Sequence, residues 1–335
     1  MSGDHQPWRP TASIDTLRLR AGALQAVRDF FATRGVLEVE TPLLVRHAVS
    51  DPQLANLPSA LGVRPGLPCF LHTSPEYHMK RLLAAGAPDI YQLGKVFRDG
   101  ELGRRHRPEF TLVEWYRHGQ GFDASIGETC ELIASIGRQL GRDIPSPRRL
   151  SYRELFLEHA GLDPLEASLP EIRHRAQALV PGGVSASLEN GLGERRTAWL
   201  DLLLVQVVEP ALRTGGLVVV GHYPAAQASL ARLHPDDPRV AERFEVYLDG
   251  MELANGYHEL SDAGEQRRRF ADDRAERRLL GLPDVEPDEL LLAALDAGLP
   301  DCCGVALGFD RLLMACLGLA DIAAVVAFSA PEDGG

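Results

Sequence analysis

The stretch "IYQLGKVFRDGELGRRHRPEFTLVEWYR", residues 90–117, decides how this chain folds. "IYQLGKVFR" and "EFTLVEWYR" are rich in aromatic and β-branched residues and read as strands. The Gly- and Arg-rich segment between them is short, so the two strands pair antiparallel. Period two places Phe110, Leu112, Glu114 and Tyr116 on one face of the second strand. A carboxylate on the same face as a leucine and a tyrosine belongs at a wet edge or in a site. The loop carries Arg98, Arg104, Arg105, His106 and Arg107 within ten residues. It is either a nucleic-acid patch or a holder for something smaller and more negative. The chain has 35 basic and 47 acidic residues, a formal net charge of −12. That balance disfavours non-specific nucleic-acid binding, which depends on neutralising phosphates, but leaves room for a local anion site.

Outward from this hairpin the same reading continues. Residues 17–34 form an amphipathic helix with Leu24, Val27 and Phe31 on one stripe and Gly35 as its stop. "VLEVETPLL" is a strand that ends at Pro42. "LHTSPEYHMKRLLAAG" is a short strand and then a helix, opened by Ser74 with Pro75 in the first turn. Residues 123–141 and 151–213 are helical, with Ser151 and Glu154 as a capping box; prolines and glycines break the region at 145–147 and 181–183. "GLVVVGHYPA" is a buried strand. "RFEVYLDGMEL" is a hairpin, because Asp249-Gly250 between apolar runs suits a two-residue type I′ turn. Residues 262–281 are a charged helix, and "GVALGFDRLLMACLG" is a strand running into an apolar helix. Strands in hairpins with helices around them predict an α+β fold with a mostly antiparallel sheet. The whole of 1–335 reads as a single domain, with 123–213 a mostly helical insertion.

Composition sets the class. Hydrophobic content of 45% and charged content of 24% belong to a soluble globular protein. The opening "MSGDHQPWRPTAS" has no apolar core and does not read as a signal peptide. The longest apolar stretch, Met314–Phe328, is broken by Asp321 and is too short to span a bilayer, so no membrane is expected. The five cysteines show no CxxC pair, which suits a reduced, cytoplasmic compartment.

Several side chains could carry chemistry. With Asp249-Gly250 as the turn, Tyr247 faces Glu252, and Glu245 is a diagonal neighbour of Glu252 at roughly 7–8 Å. Two carboxylates so placed repel unless a cation such as Mg²⁺ lies between them; taken alone, two solvated carboxylates on an exposed hairpin explain the pattern better. "NGYHEL" places Asn255, Tyr257 and Glu259 on one face of an extended strand. Glu76 lies in a first helical turn, where the helix dipole alone favours a carboxylate. In "GVALGFDRLL" glycines flank a strand and Arg311 opens a helix. No glycine pattern has the P-loop or GxGxxG form, and there is no HExxH.

In chain order, "GVLEVETP", "FR…RHRPEFTLVEWY" and "GVALGFDR" resemble motifs 1, 2 and 3 of the class II aminoacyl-tRNA synthetases. "TSPEYHMKRLL" and "RFEVYLDGMELANGYHEL" narrow the resemblance to the lysyl-tRNA synthetase branch. "HYPAAQASLAR" and "LPDCCGVALG" are similar to its truncated bacterial paralogues, which ligate (R)-β-lysine to translation elongation factor P. The resemblance covers roughly residues 12–330. Motif 1 begins near residue 35, which leaves no room before it for an anticodon-binding barrel. Charging of tRNA is therefore not expected.

The resemblance implies an enzyme that uses ATP and Mg²⁺ to adenylate lysine or (R)-β-lysine and passes it to an amine. Arg98 and Arg311 take the catalytic positions. The ATP contacts fall on Arg98, Asp99, Gly100, Glu101, His106, Arg107, Phe110, Glu252, Leu253, Gly308 and Arg311, with adenine between Phe110 and Arg311. The amino-acid contacts fall on Ser74, Pro75, Glu76, Glu114, Tyr116, Asn255, Tyr257, Glu259 and Ala306. Glu245 and Glu252 are the metal carboxylates. Ala306 stands where lysyl-tRNA synthetases carry glycine, and its methyl group would favour a β-amino over an α-amino substrate. Those enzymes read Arg-Asn-Glu where this chain has Arg98-Asp99-Gly100, so their glutamate is missing unless Glu101 slides in. Arg107 replaces their asparagine. Motif 1 implies a homodimer. The alternatives are a minimal synthetase that charges tRNA and a silent amino-acid-binding paralogue; retention of Arg98, Arg311, Glu245 and Glu252 argues against the second.

Overall fold

The computed structural model describes residues 8–64, 66–214 and 216–329. Residues 1–7 and 330–335, which include most of the opening segment read above as no leader, lie outside the described residues. Among the described residues there are eleven strands: β1 (Leu37–Glu38), β2 (Leu44–Val45), β3 (Leu57–Ser59), β4 (Cys69–Leu71), β5 (Ile90–Phe97), β6 (Glu109–His118), β7 (Arg148–Ser151), β8 (Leu217–Pro224), β9 (Val240–Leu248), β10 (Met251–His258) and β11 (Cys302–Gly308). Eight form one sheet in the order β1-β5-β6-β11-β10-β9-β8-β7. The edge pairs β1–β5 and β7–β8 are parallel, and the pairs between them are antiparallel. This is the α+β class that the hairpin reading predicted. A small sheet, β2-β4-β3, was only partly anticipated, by the short strand read at Leu71, because its strands are two or three residues long.

One face of the large sheet is sealed by apolar helix stripes. Val27, Phe30 and Phe31 come from helix Ile14–Ala32, Ile133 and Ile136 from Phe122–Gln139, and Leu312 and Leu313 from Phe309–Leu317. Phe31 stacks on Tyr91 at 4.5 Å and lies 5.4 Å from Trp115. Thus the Val113 and Trp115 face of β6 is core, and the Phe110–Tyr116 face is left for other work. Gly35, at φ +68°, turns the chain beyond the first helix. Of the segment 123–213, helix Phe122–Gln139 joins this main core. Tyr152, Phe156, Trp199 and Leu203 form a second core against β8. The Ser151–Glu154 capping box is present.

The β9–β10 hairpin turns at Asp249 and Gly250, both with positive φ (50° and 71°), as a type I′ turn requires. Leu248 pairs with Met251 and Tyr247 with Glu252, as expected, but the next pair is Val246 with Ala254. Leu253 is the extra residue of a β-bulge. Glu252 and Asn255 are an odd number apart and would face opposite ways on a regular strand; the bulge puts both on the face of Glu245.

Gly256 lies against the Phe244 ring, where an added Cβ would come within 2.4 Å of a ring carbon. Overpacking of this kind costs about 1–3 kcal/mol. Gly256→Ala should therefore lower the unfolding free energy by that amount, read as a lower urea midpoint at an unchanged slope, and an unchanged midpoint would refute the packing described.

Candidate functional site

The strand register builds the site. At one level across β9, β10, β11, β6 and β5 stand Glu245, Asn255, Ala306, Glu114 and Gln92. At the next stand Arg243, Tyr257, Gly304, Tyr116 and Ile90. Residues two apart on a strand share a face, so both levels point away from the main core. Glu259, just past β10, donates its N–H to the Cys302 carbonyl and continues the ladder.

Helix Glu76–Ala84 lies over these rows. Pro75 is already in helical conformation (φ −75°, ψ −3°). The Ser74 hydroxyl accepts from the Glu76 N–H at 3.0 Å and donates to Glu114 Oε2 at 2.8 Å. Tyr116 O–H donates to Glu114 Oε1 at 2.8 Å. Glu114 is 3% exposed and Glu259 4%. Between Glu76 and Glu259 sits Lys80 Nζ, 2.6 Å from each carboxylate. Gly304 is obligatory here, because an added Cβ would lie 2.2 Å from Glu259 Oε1 and 2.4 Å from a Tyr116 ring carbon. Asn255 Nδ2 donates to the Tyr257 hydroxyl at 2.8 Å, while Asn255 Oδ1 is buried with no donor among the described residues. Buried acceptors are normally satisfied, so this atom is available to a ligand ammonium.

Burial, and next the neighbouring Glu76 charge, push the Glu114 carboxyl up to about 8. Burial pushes Glu259 up to about 7, against the pull of Lys80. The cluster is therefore short of positive charge, and a ligand ammonium would restore ionised carboxylates.

The predicted nucleotide residues gather at the neighbouring end of the face. The Arg98 guanidinium lies over the Phe110 ring at 5.2 Å and 3.6 Å from Glu101; its Nε is buried without an acceptor. Gly100 has φ +72°, a conformation costly for a glutamate, and the chain brings Glu101 to Arg98 instead. Arg311 meets Glu252 Oε2 at 3.2 Å, the Glu252 carbonyl at 3.3 Å and His106 Nε2. These contacts engage N–H groups on the guanidinium edge. Burial and the Arg311 charge lower the His106 pKa, which keeps the ring a neutral acceptor. Asp310, beside Arg311, is paired with Arg20 at 2.5 Å and accepts from the Thr111 N–H at 2.8 Å; the first helix thus fixes the start of the helix that bears Arg311.

At four of the predicted nucleotide positions the structure shows what else the residue does. Leu253 points its side chain into the main core, and only its carbonyl approaches Gly308. Asp99 is exposed and accepts from the Gly100 N–H at 2.8 Å, so its carboxylate shapes its own loop. Arg107 donates to the Gly103 and His106 carbonyls at 2.5 and 3.1 Å and reaches Asp321 at 3.6 Å; it braces the loop. Gly308 leaves space beside Arg311: an added Cβ would meet protein neighbours only at 3.8 Å. Arg104 and Arg105 are exposed.

The Glu245 carboxylate is 6% exposed and is bonded by the Tyr223 and Tyr247 hydroxyls and, at 2.7 Å, by Arg243. A carboxylate accepts about four hydrogen bonds, so Glu245 has little capacity left. Glu252 is more open, with 40% of its side chain exposed. Its packed setting and the Glu245 charge raise its pKa, which a nearby cation would reverse. No group of three or more His, Cys, Asp or Glu among the described residues forms a metal cage. Mg²⁺ needs only one or two carboxylates when phosphates supply the rest, and Glu252 with Glu245 in reserve fits that demand. Sequence reading missed Lys80 and the Tyr223–Tyr247–Arg243 set around Glu245. The spacing of Lys80 four residues after Glu76 was a usable signal; the tyrosines had none.

A consequence is a pH dependence. A diammonium ligand binds ionised Glu114, so binding releases a proton wherever the free carboxyl is still protonated. Apparent affinity for lysine, measured by calorimetry, should rise as pH climbs through about 8 and fall again as the ligand ammonium groups deprotonate, the side-chain one last, near about 10. Flat affinity from pH 6 to 9 would contradict the assignment.

The model of the family described as tRNA synthetases class II (D, K and N) matches residues 5–332. The elongation factor P–(R)-β-lysine ligase of Proteus mirabilis (strain HI4320) is 45% identical over 324 residues, covering 96% of this chain and 97% of that protein. The proteins of the same name from Salmonella typhi and Photorhabdus laumondii are 45% and 46% identical over 325 residues, with the same coverage. With its strand register, its motif arginines and this match along nearly its full length, the chain belongs to the class II tRNA synthetases of the D, K and N group.

Proposed function

We propose that this protein is an ATP-dependent ligase that adenylates (R)-β-lysine, or lysine, and transfers it to a lysine side chain of translation elongation factor P. The observation that carries the reading is the juxtaposition on one sheet face of an acidic pocket, Glu76, Glu114 and Glu259, with the arginine and aromatic pair Arg98–Phe110. The first suits an amino acid with two ammonium groups, and the second suits a nucleotide. The relatives' printed names supply the acceptor.

In this reading the pocket fixes the amino acid so that its carboxylate reaches the α-phosphorus of ATP. An acyl–phosphate bond forms and pyrophosphate leaves. The acceptor amine then attacks the acyl carbon, and the amide forms as AMP leaves. Positioning and charge stabilisation suffice, without a protein nucleophile. Arg98 is set to hold phosphate oxygens through a planar fork, and its buried, unpaired Nε has capacity for one. The guanidinium face of Arg311 and the ring of Phe110 would take the adenine. Glu252, aided by the remaining lone pair of Glu245, would hold Mg²⁺, which supplies charge neutralisation at the phosphates. Asn255 Oδ1 would accept from a substrate ammonium. Ala306, between Asn255 and Glu114 at the same level, puts a methyl group on the pocket floor, where a size difference of one carbon discriminates by about 1–3 kcal/mol. We also propose a homodimer through the first helix and β1. Among the described residues no helix is long and apolar enough to cross a membrane.

The test is ATP–pyrophosphate exchange with (R)-β-lysine, with α-lysine and with no amino acid, followed by the mass of elongation factor P after incubation. Exchange that needs the amino acid, and a mass gain of one lysyl unit on the acceptor, are expected; no exchange with any of them rejects the reading. If Glu101 serves the nucleotide beside Arg98, Glu101→Gln should raise the KM for ATP about tenfold, the value of one lost charged hydrogen bond of about 1.4 kcal/mol. An unchanged KM would leave Glu101 with no nucleotide role.

A further inference from the structure

The reaction outlined above calls for carboxylates in the amino-acid pocket, not for a lysine, yet Lys80 lies at its centre and is 1% exposed. Its Nζ is 2.6 Å from Glu76 Oε1 on its own helix and 2.6 Å from Glu259 Oε2 at the end of β10. Among the described residues it is the only cation within ion-pair distance of either carboxylate. We propose that Lys80 is a positioning residue: it ties Glu76 to Glu259 and cancels one of three carboxylate charges, so that the pocket matches a substrate bringing two ammonium groups.

The charge count supports this. Glu76, Glu114 and Glu259, once ionised, set three negative charges against one fixed ammonium. Two charges stay uncompensated, and an uncompensated buried charge is strongly unfavourable. An amino acid with two ammonium groups removes the deficit, whereas one with a single ammonium leaves a buried carboxylate unpaired. The neighbours offer no substitute for Lys80. Its own helix gives Glu76, β6 gives Glu114 and Tyr116, and β11 gives Cys302, whose thiol burial pushes up. The helix Glu289–Gly298, packed behind, offers Leu291, Leu292 and Leu295. Geometry agrees with charge: Glu76 is on a helix and Glu259 on the sheet, and Lys80 is the bridge between them.

The inference rests on the ligase reading, and the test separates the two. In the exchange assay, wild-type protein without amino-acid-dependent exchange would sink the ligase reading itself. With wild-type exchange present, Lys80→Met keeps the length of the side chain and removes the charge. Without the Lys80 ammonium beside it, Glu259 holds its proton to higher pH, and a protonated carboxyl is a poor partner for an ammonium. The expected result is a KM for the amino acid raised about tenfold or more, an unchanged KM for ATP, and a pH profile of amino-acid KM displaced upward by about one unit, since one unit corresponds to tenfold. A purely structural role would lower the amount of active protein and leave both KM values and the profile in place. Lys80→Met protein with the wild-type amino-acid KM and pH profile would overturn the proposal. Should that variant fail to fold by circular dichroism, Lys80→Arg and Lys80→Gln carry the test. The arginine should keep the wild-type pH profile and the glutamine lose it; identical profiles would overturn the proposal equally.

Discussion

Three carboxylates beneath one face of a β-sheet are the constraint around which this structure is arranged. Removing a carboxylate from water is expensive unless it is paired or hydrogen-bonded. Glu114 meets the demand with Ser74 and Tyr116, and Glu76 and Glu259 meet it through Lys80. The remaining deficit falls on Glu114, whose carboxyl is pushed up to about 8. Gly304 follows from the same constraint, because any side chain there would occupy the space of Glu259 and Tyr116. A pocket built this way is incomplete in charge, and an amino acid with two ammonium groups would complete it.

The nucleotide end is organised by a second device, a one-residue bulge. By inserting Leu253, the β10 strand turns Glu252 to the face that carries Glu245 and Asn255. Phosphate-side and amino-acid-side groups thereby come to a common surface. The Arg-rich loop closes the same end. Only part of its positive charge faces the site: Arg98 lies on Phe110, whereas Arg107 binds the loop's own carbonyls. The run of arginines therefore divides: Arg98 lies on Phe110, Arg107 braces the loop, and Arg104 and Arg105 are exposed.

Much of this was legible in the sequence, for identifiable reasons. Period two on β6 predicted the shared face of Phe110, Leu112, Glu114 and Tyr116, because a strand in a regular sheet has no freedom to change it. Asp249-Gly250 predicted the hairpin, since both residues tolerate positive φ, and Ser151–Glu154 predicted a helix start. The bulge was not legible, because Leu253 is an ordinary strand residue and carries no turn chemistry. The partners of Glu245 were not legible either: Tyr223 reaches it from a strand more than twenty residues away, and only the sheet order brings them together. Lys80 lay inside a stretch that was noticed for its glutamate. Lysines are mostly exposed, and only the packed helix shows this one to be buried.

In the proposed function the carboxylate rows cradle a substrate with two ammonium groups beside the nucleotide. The most direct measurement is a crystal structure of the protein with a non-hydrolysable sulfamoyl analogue of the β-lysyl adenylate. The account predicts one ammonium against Glu114 and Glu259, the other near Glu76 and Asn255, and the adenine against Phe110. An analogue bound without contact to Glu114 or Glu259, or on the opposite face of the sheet, would contradict it.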